Sequence, residues 1–391
     1  MVHDVIIAGA GMVGATLACA LGRQSFKVAL LEARAPEPYA AHGDVGLRVS
    51  AINPRSESIL RALGVWPTIS RGRHSPFREM QVWDAGGGGE IHFDCRDIGE
   101  ARLGYIVENQ LIQTALIECL QEMPTVDCRW PARVAAVDVD KNAVAAQLED
   151  GGELTAKLVV GADGPGSRVR ECAGISQKVR EYFQKAVVAN VVTSRSHEHT
   201  AWQRFLPTGP VAFLPLADGR SSVVWSTDQQ HADELLNMSD DDFCTALSAA
   251  IAHRLGDVEA ASPRAAFGLR GAQVDAYVRP RIALVGDAAH IIHPLAGQGA
   301  NLGFQDAASL AGVLMREGRD IGGMRVLRQY ERERKGDNFA MMRAMEAFKY
   351  LFENTHAARR WLRNTGLTMV NAATPLKQLL MRRAMGLSEH A

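Results

Sequence analysis

Three times along this chain a short apolar run breaks into a turn of glycine and aspartate, and that repeated unit limits what the chain can fold into. Val5-Ile6-Ile7-Ala8 runs into Gly9-Ala10-Gly11-Met12-Val13-Gly14. Leu158-Val159-Val160 runs into Gly161-Ala162-Asp163-Gly164, and Ile282-Ala283-Leu284-Val285 into Gly286-Asp287-Ala288-Ala289. Unbroken apolar runs of this length are what strands covered on both faces require. A further run, Lys27-Val28-Ala29-Leu30-Leu31, ends in Glu32, 18 residues beyond Gly14. Strand, glycine turn, helix and a second strand with a terminal acid make a βαβ unit of the kind that cradles a dinucleotide.

The first turn has a mechanical reading. Gly9 allows the tight exit from the strand, Gly11 lets a pyrophosphate approach the backbone, and Gly14 lets the following helix lie close to the strand. The amides at that helix start, Met12 and Val13 among them, sit at the positive end of the helix dipole and hold phosphate. Glu32 lies where a carboxylate accepts from the hydroxyls of an adenosine ribose. The bland alternative is a glycine-rich turn that binds nothing.

Val5 to Gly22 carries no charge and approaches the length of a membrane span. Gly9, Gly11 and Gly14 within it, the lack of a basic segment before it and the βαβ pattern after it argue against both a span and a signal peptide. At 391 residues the chain exceeds what one core usually supports, so two domains and an extension are expected. The net charge of −1 implies no general attraction to nucleic acid. Six scattered cysteines (Cys19, Cys95, Cys119, Cys128, Cys172 and Cys244) contain no CxxC, which fits reduced thiols in a cytoplasm, without a zinc site or a disulfide framework. His197 and His199 read as part of a solvated loop rather than a ligand set.

The texture of the chain divides it further. Ser56 to Gly64 reads as a short helix, with Ser56 as its cap and Gly64 as its stop. Met80-Gln81-Val82-Trp83 and Glu90-Ile91-His92-Phe93 alternate about the glycine-rich link Gly86 to Gly89, as a hairpin does. Tyr105 to Asn109 is a strand, and Leu111 to Gln121 a helix. From Lys178 to about Phe267 alternating runs predict antiparallel strands, with a helix over Asp240 to Arg254. After Asn301 the chain looks helical. The expected fold class is α/β: a Rossmann-like FAD-binding domain of residues 1–76, 98–177 and 268–338, an inserted antiparallel-sheet substrate domain of 77–97 and 178–267, and a helical C-terminal region of 339–391.

The Gly9–Gly14 turn, the Gly161–Gly164 turn with Ser167, Arg168 and Arg170, and the long segment Gly286-Asp287-Ala288-Ala289-His290 … Pro294 … Gly297-Gln298-Gly299-Ala300-Asn301 together resemble the group A flavoprotein monooxygenases, whose prototype is para-hydroxybenzoate hydroxylase. Arg48-Val49-Ser50-Ala51-Ile52-Asn53, Gly104 to Asn109, Ala212 to Leu216 and His293 to Gly299 resemble the bacterial ubiquinone-biosynthesis hydroxylases within that group. The resemblance covers most of the chain. It implies FAD as cofactor, O2 as co-substrate and NAD(P)H as reductant, although no second nucleotide-binding fold is present, so a protein donor is the alternative. It implies an aromatic ring hydroxylated through a C4a-hydroperoxyflavin, with water excluded and the ring held close.

The resemblance also distributes roles. Asp287 bonds the ribityl chain. Gly297, Gly299 and Asn301 open a helix whose amides face the flavin pyrimidine edge. Pro294 and Gly297 lie beside the reacting atoms, and no acid or base is assigned. Asp163 and Gly164 lie between FAD and the nicotinamide approach, Arg48 near the pyrophosphate, and Asn109 by the flavin chain. A surface ion pair is the other reading of Arg48, and a turn cap that of Asp287. His290 reads as structural.

Thr355 to Leu387 holds six basic residues (Arg359, Arg360, Arg363, Lys377, Arg382, Arg383) among apolar ones, and no acid. With the apolar helix expected at 339–352, it fits contact with an anionic membrane surface or a biosynthetic complex, and hence a peripheral place at the inner membrane. A polyprenylated aromatic substrate would live in that membrane. Three functions stay open: hydroxylation of such a polyprenylated phenol or demethoxy-quinol, hydroxylation of a small soluble phenol, and a flavoprotein component of a complex that hydroxylates nothing. Trp202-Gln203-Arg204-Phe205 with Gly209-Pro210 resembles the demethoxy-quinol enzyme, and Met80 to Asp84 the earlier hydroxylase of the polyprenyl phenol.

Overall fold

The computed structural model describes residues 3–292, 298–316, 320–352, 369, 371 and 373–387. The chain opens with β1 (His3–Ala8), α1 (Met12–Gly22) and β2 (Val28–Leu31), then β3 (Val49–Ile52), α2 (Pro54–Ala62) and α3 (Trp66–Arg71). Next come β4 (His74–Phe77), β5 (Glu79–Asp84), β6 (Glu90–Asp94), β7 (Gly104–Glu108) and α4 (Asn109–Gln121). They lead to β8 (Val126–Arg129), β9 (Val134–Val139), β10 (Val144–Leu148), β11 (Glu153–Gly161) and α5 (Arg168–Cys172). A second stretch holds β12 (Gln177–Thr193), β13 (Thr200–Leu206), β14 (Gly209–Pro215), β15 (Ser221–Asp228), α6 (Gln229–Asn237), α7 (Asp240–Ala250), β16 (Val258–Ala261) and β17 (Ala265–Val274). The last elements are β18 (Val278–Arg279), β19 (Ile282–Leu284), β20 (His290–Ile291), α8 (Gln298–Arg316), α9 (Met324–Phe352) and α10 (Thr374–Ala384).

The apolar runs behave as their composition requires. Val5, Ile6, Ile7, Leu158, Val159 and Val160 are all fully buried, each side chain of this kind contributing about 1.5–3 kcal/mol by its removal from water. β1 lies between β2 and β11, parallel to both, and β8 and β19 extend the sheet in parallel on either side. The chain leaves β1 through α1 to β2 on one flank and returns as β11 on the other. The carboxyl end of β1 is therefore a topological switch point, where open α/β sheets form a ligand crevice. Val5 to Gly22 is divided between the buried β1 and the largely buried α1, and no described helix is long and apolar enough to cross a membrane.

A nine-stranded sheet runs β20-β17-β12-β15-β14-β13-β5-β6, with β16 beside β12. The 79–94 hairpin joins this sheet through β5, which pairs in parallel with β13, an exception to the otherwise antiparallel pattern. Phe213, Val223 and Trp225 pack under it against Phe243 and Leu247 of α7. A small third sheet, β3-β7-β4, carries the Arg48 segment at one end.

Local details depart from expectation in three places. Asn53, not Ser56, caps α2: its Oδ1 accepts from the Ser56 amide at 2.9 Å, and Pro54 follows in the first turn. His197 is buried rather than solvated, with its Nε2 3.2 Å from the Leu216 carbonyl and its Nδ1 accepting from the His199 amide. α9 runs unbroken across position 339. Of the six cations expected in the terminal segment, Arg359, Arg360 and Arg363 lie outside the described residues.

Asn53 also ties two distant parts together. Its Nδ2 donates to the Ala384 carbonyl at the end of α10, and its amide donates to Asn301 Oδ1 in α8. Replacing Asn53 with alanine removes both side-chain bonds, the cap to Ser56 and the tie to Ala384, and leaves the amide bond to Asn301. Denaturant unfolding of the Asn53→Ala variant is expected to show a loss of about 1–2 kcal/mol, and a loss under about 0.3 kcal/mol would contradict this role.

Candidate active site

The first turn is built by steric exclusion. Gly9 has φ +103°, and a Cβ there would stand 2.3 Å from the Ala162 carbonyl oxygen of the second turn. A Cβ at Gly14 would stand 1.9 Å from the Gly9 oxygen, so α1 meets the strand end with no room for a side chain. At Gly11 the opposite holds: nothing lies within 4 Å of the added carbon. No side chain caps α1, whose first turn also lacks an acid, so the amides of Met12 and Val13 point from an uncapped helix start. The Val13 side chain is turned away, against the α-carbons of Gly286 and Gly303. This open, uncapped cradle fits a pyrophosphate.

Glu32 ends β2 beside the same turn. Its Oε2 accepts from the Ala10 amide at 2.7 Å and its Oε1 from the Ala33 amide at 2.8 Å. Each oxygen keeps acceptor capacity for a ribose hydroxyl. Gln113 of α4 holds the turn from the other side, donating to the Ala10 carbonyl at 2.8 Å.

The second turn meets the first at Ala162, whose amide donates to the Ala8 carbonyl at 2.8 Å. Ser167 caps α5, and Asp163 binds the first turn of that helix from outside, its Oδ2 accepting from the Arg168 amide at 2.7 Å. Its other oxygen, Oδ1, is buried without a partner among the described residues, an acceptor left for a ligand. Gly164 follows at φ +76°, with open space where a Cβ would stand. Arg170, itself buried, donates to the Pro165 and Ala288 carbonyls and so joins the second turn to the third.

Asp287 sits in a tight 3₁₀ turn, Gly286–Ala288, at the end of β19. Solvent reaches its side chain, yet protein surrounds it densely enough to push its carboxyl above the ordinary range; His290, Arg270 and Arg48 pull the other way without cancelling this. Arg48 is exposed, and its guanidinium stands 4.5 Å from the Phe267 ring centroid, an aromatic partner rather than the surface ion pair considered for it. Asn109 heads α4, its Oδ1 accepting from Ser50 at 2.6 Å and its amide donating to the Arg48 carbonyl. Asn301 is buried: Oδ1 accepts from the Asn53 amide at 3.1 Å and Nδ2 donates to the Ala51 carbonyl at 2.8 Å, pinning α8 to the end of β3. Gly299 lies in the first turn of α8 with no atom of the described residues within 4 Å of an added Cβ. Pro294 and Gly297 lie outside the described residues.

His290 is structural, as the sequence reading has it: it is buried, its Nε2 lies 2.5 Å from Asp306 Oδ2, and its ring stacks on Tyr277 at 5.9 Å. Burial alone would raise the Asp306 carboxyl, but the attraction and hydrogen bond of His290, with Arg334 behind them, hold it well below the usual carboxylate range. Asp306, Arg334, Asn338, Gln113 and the buried Glu108 were not singled out from sequence. Glu108 accepts from the Gly46 amide at 2.7 Å and pairs with Arg73 at 2.9 Å, fastening the 39–46 loop. A cavity of about 150 Å³ lies apart from these turns, between β12, β17 and α9, lined in part by Lys178, Arg180, Phe339 and Arg343.

A switch-point crevice, an uncapped glycine turn, a terminal acid and two further turns converging from β11 and β19 define a flavin-binding protein. Residues 2–345 match the family described as "FAD binding domain", and the chain belongs to it, as an FAD-dependent aromatic monooxygenase. It is 38% identical to the ubiquinone biosynthesis monooxygenase COQ6, mitochondrial, of Mus musculus, over 97% of this chain and 90% of that protein. It is 39% identical to the ubiquinone hydroxylase UbiL of Rhodospirillum rubrum, over 98% of this chain and 90% of the relative. It is 37% identical to the 3-demethoxyubiquinol 3-hydroxylase of Escherichia coli K12, over 98% of both chains. Among solved structures, PqsL of Pseudomonas aeruginosa, a probable FAD-dependent monooxygenase, superposes with a TM-score of 0.78 at 26% identity, covering 94% of this chain and all of that one.

The contrast between two glycines tests the cradle. Gly11→Ala meets nothing among the described residues, so it is expected to fold with wild-type stability and to bind FAD about tenfold or more weakly by titration of the apoprotein. Gly14→Ala is expected to lose stability as well. Unchanged FAD affinity in Gly11→Ala would contradict the assignment.

Proposed function

We propose that this flavoprotein hydroxylates the aromatic ring of a polyprenylated phenol or demethoxy-quinol in ubiquinone biosynthesis. The observation that carries this reading is the nearly full-length similarity to relatives named for hydroxylation in that pathway. Bound FAD, reduced by NAD(P)H, supplies the activation of O2. The chain supplies the rest: amides of Gly11, Met12 and Val13 for the pyrophosphate, Glu32 for the ribose, Asp163 and Gly164 between cofactor and reductant, and Asp287 for the ribityl chain. Arg48 and Asn109 line the approach. The amides at the start of α8, with Gly297, Gly299 and Asn301, face the pyrimidine edge, where a helix N-terminus stabilises negative charge. The family resemblance assigns Pro294 to the neighbourhood of the reacting atoms. The nine-stranded sheet, as the substrate domain, roofs the crevice, excludes water and holds the ring.

The same reading sets the C-terminal region against an anionic lipid surface, from which a polyprenyl substrate enters. α10 has two faces. Met381 and Met385 are buried against Cys95, Ile98 and Leu103, Lys377 pairs with Asp97 at 2.6 Å, and Arg382 donates to the Ile98 carbonyl. Leu376, Leu379 and Leu380 are 45%, 60% and 39% exposed, and Arg383 is exposed one turn on. Apolar side chains and a cation on one outward stripe suit an interfacial helix, while half-buried Lys377 and exposed Arg382 bond back to the fold.

Two measurements test these statements. Purified protein carrying FAD is given NAD(P)H, O2 and, separately, a short-chain prenylated phenol, a demethoxy-quinol and a small soluble phenol. A product heavier by one oxygen is expected from one of the prenylated rings. Hydroxylation of the soluble phenol alone would select the small-substrate alternative, and flavin reduction without oxygen transfer the non-hydroxylating one. In flotation with vesicles containing anionic lipid, replacing Leu376, Leu379 and Leu380 with glutamine is expected to cut binding at least about tenfold. Equal binding by the variant would refute the lipid contact.

A further inference from the structure

A fully buried acid whose four bonds come from four different residues lies behind the third turn, not in it. Asp306 of α8 is fully buried and accepts four hydrogen bonds. Its Oδ2 takes the Gly286 amide at 3.1 Å and His290 Nε2 at 2.5 Å. Its Oδ1 takes Arg334 Nε at 2.8 Å and Asn338 Nδ2 at 3.0 Å, both from α9. An ionised carboxylate offers roughly four acceptor sites and no donor, so this arrangement fills it. The two oxygens divide the work. One holds the backbone of Gly286 and the side chain of His290, the two residues that bracket Asp287. The other is held by α9, where Arg334 also donates to Asn338 Oδ1 and Asn338 to the Tyr277 hydroxyl.

We infer that Asp306 is a positioning residue for the flavin: its carboxylate clamps both ends of the Asp287 turn, and α9 holds the clamp. The inference rests on the assignment of Asp287 to the ribityl chain. It goes beyond the cofactor contacts because four protein donors fill the acceptor sites of Asp306, so the residue acts through the turn. The buried ion pair with Arg334 need not add net stability, since desolvation of both charges offsets much of their attraction. What the carboxylate supplies is a matched set of acceptors on both sides. Asparagine, nearly the same shape, cannot supply it: its single carbonyl serves one side, and its NH2 then faces two donors on the other.

The test separates the two sides by titrating apoprotein with FAD, following flavin fluorescence and the visible spectrum, alongside denaturant unfolding. Asp306→Asn is expected to bind FAD about tenfold or more weakly and to show shifted flavin absorption bands. Arg334→Leu strips one bond from the α9 side, where Asn338 still holds the carboxylate, and leaves the turn side whole; it is expected to lose stability yet keep FAD affinity within about threefold. His290→Leu, which removes one clamp on the turn, is expected to weaken FAD, and His290→Gln, which can still donate, to recover part of the loss. The His290 pair decides the matter if Asp306→Asn does not fold. Equal FAD binding by the two His290 variants, or a loss in Arg334→Leu as large as in Asp306→Asn, would overturn the clamp and leave a core ion pair. Wild-type protein that takes up no FAD would overturn the flavin assignment along with it, whereas normal wild-type uptake with unaffected variants would overturn the clamp alone.

Discussion

Helix α1 lies so close to the carboxyl end of β1 that Gly14 and Gly9 leave no space for a side chain between them, and the other two turns are referenced to that contact. Gly9 abuts the Ala162 carbonyl of the second turn. Val13, on the same helix, fills the space in front of Gly286 and Gly303, so the third turn and α8 take their distance from α1 as well. Three strand ends that are far apart in sequence thus meet around one helix start. The backbone amides of that start, uncapped by any side chain, are left as the binding feature. A cradle of this kind is rigid because it is made of close backbone approaches, which have no rotamers to lose.

Polar groups then fix the cradle to the rest of the molecule. Arg170 bridges the second and third turns through two carbonyls, Glu32 and Gln113 grip the first turn at Ala10, and Asn301 pins α8 to β3. Through Asn53 that last pin continues to the end of α10, where Met385 also accepts from the Arg55 amide. The C-terminal helices are therefore not appendages: α10 touches the scaffold one hydrogen bond away from Asn301, and α9 reaches the third turn through Arg334 and Asn338. A helix that meets a lipid surface on one face and this scaffold on the other would bring the crevice to the membrane at a set orientation.

Much of this was legible in sequence because it depends on local rules. The buried parallel strands announce themselves as unbroken apolar runs, and Gly9, Gly14 and Gly286 sit where backbone geometry tolerates nothing larger. Glu32 was legible from its spacing. The hairpin at 79–94 showed in its alternation and its glycines, although its parallel pairing with β13 did not, because nothing in a strand's own sequence names its neighbour. Ser56 and Asn53 are both good capping residues, and the choice between them turned on Pro54, which fits the first turn and moves the cap back to Asn53. Asp306, Arg334 and Asn338 were not legible at all. Charged residues at helical spacing look like a solvated face until the turn they hold is packed against them, and Asp306 is paired with groups up to 32 positions away. His197 misled for the same reason, since its burial comes from a carbonyl 19 residues on.

The central claim is that three strand-end turns hold one FAD with its pyrophosphate on α1 and its ribityl chain at Asp287. A crystal structure of the chain with FAD bound tests it most directly. The pyrophosphate is expected within hydrogen-bond distance of the Gly11 to Val13 amides, and a ribityl hydroxyl within about 3.2 Å of an Asp287 oxygen. A flavin bound away from the carboxyl end of β1, or an Asp287 carboxylate facing solvent with the ribityl chain held by other groups, would contradict it.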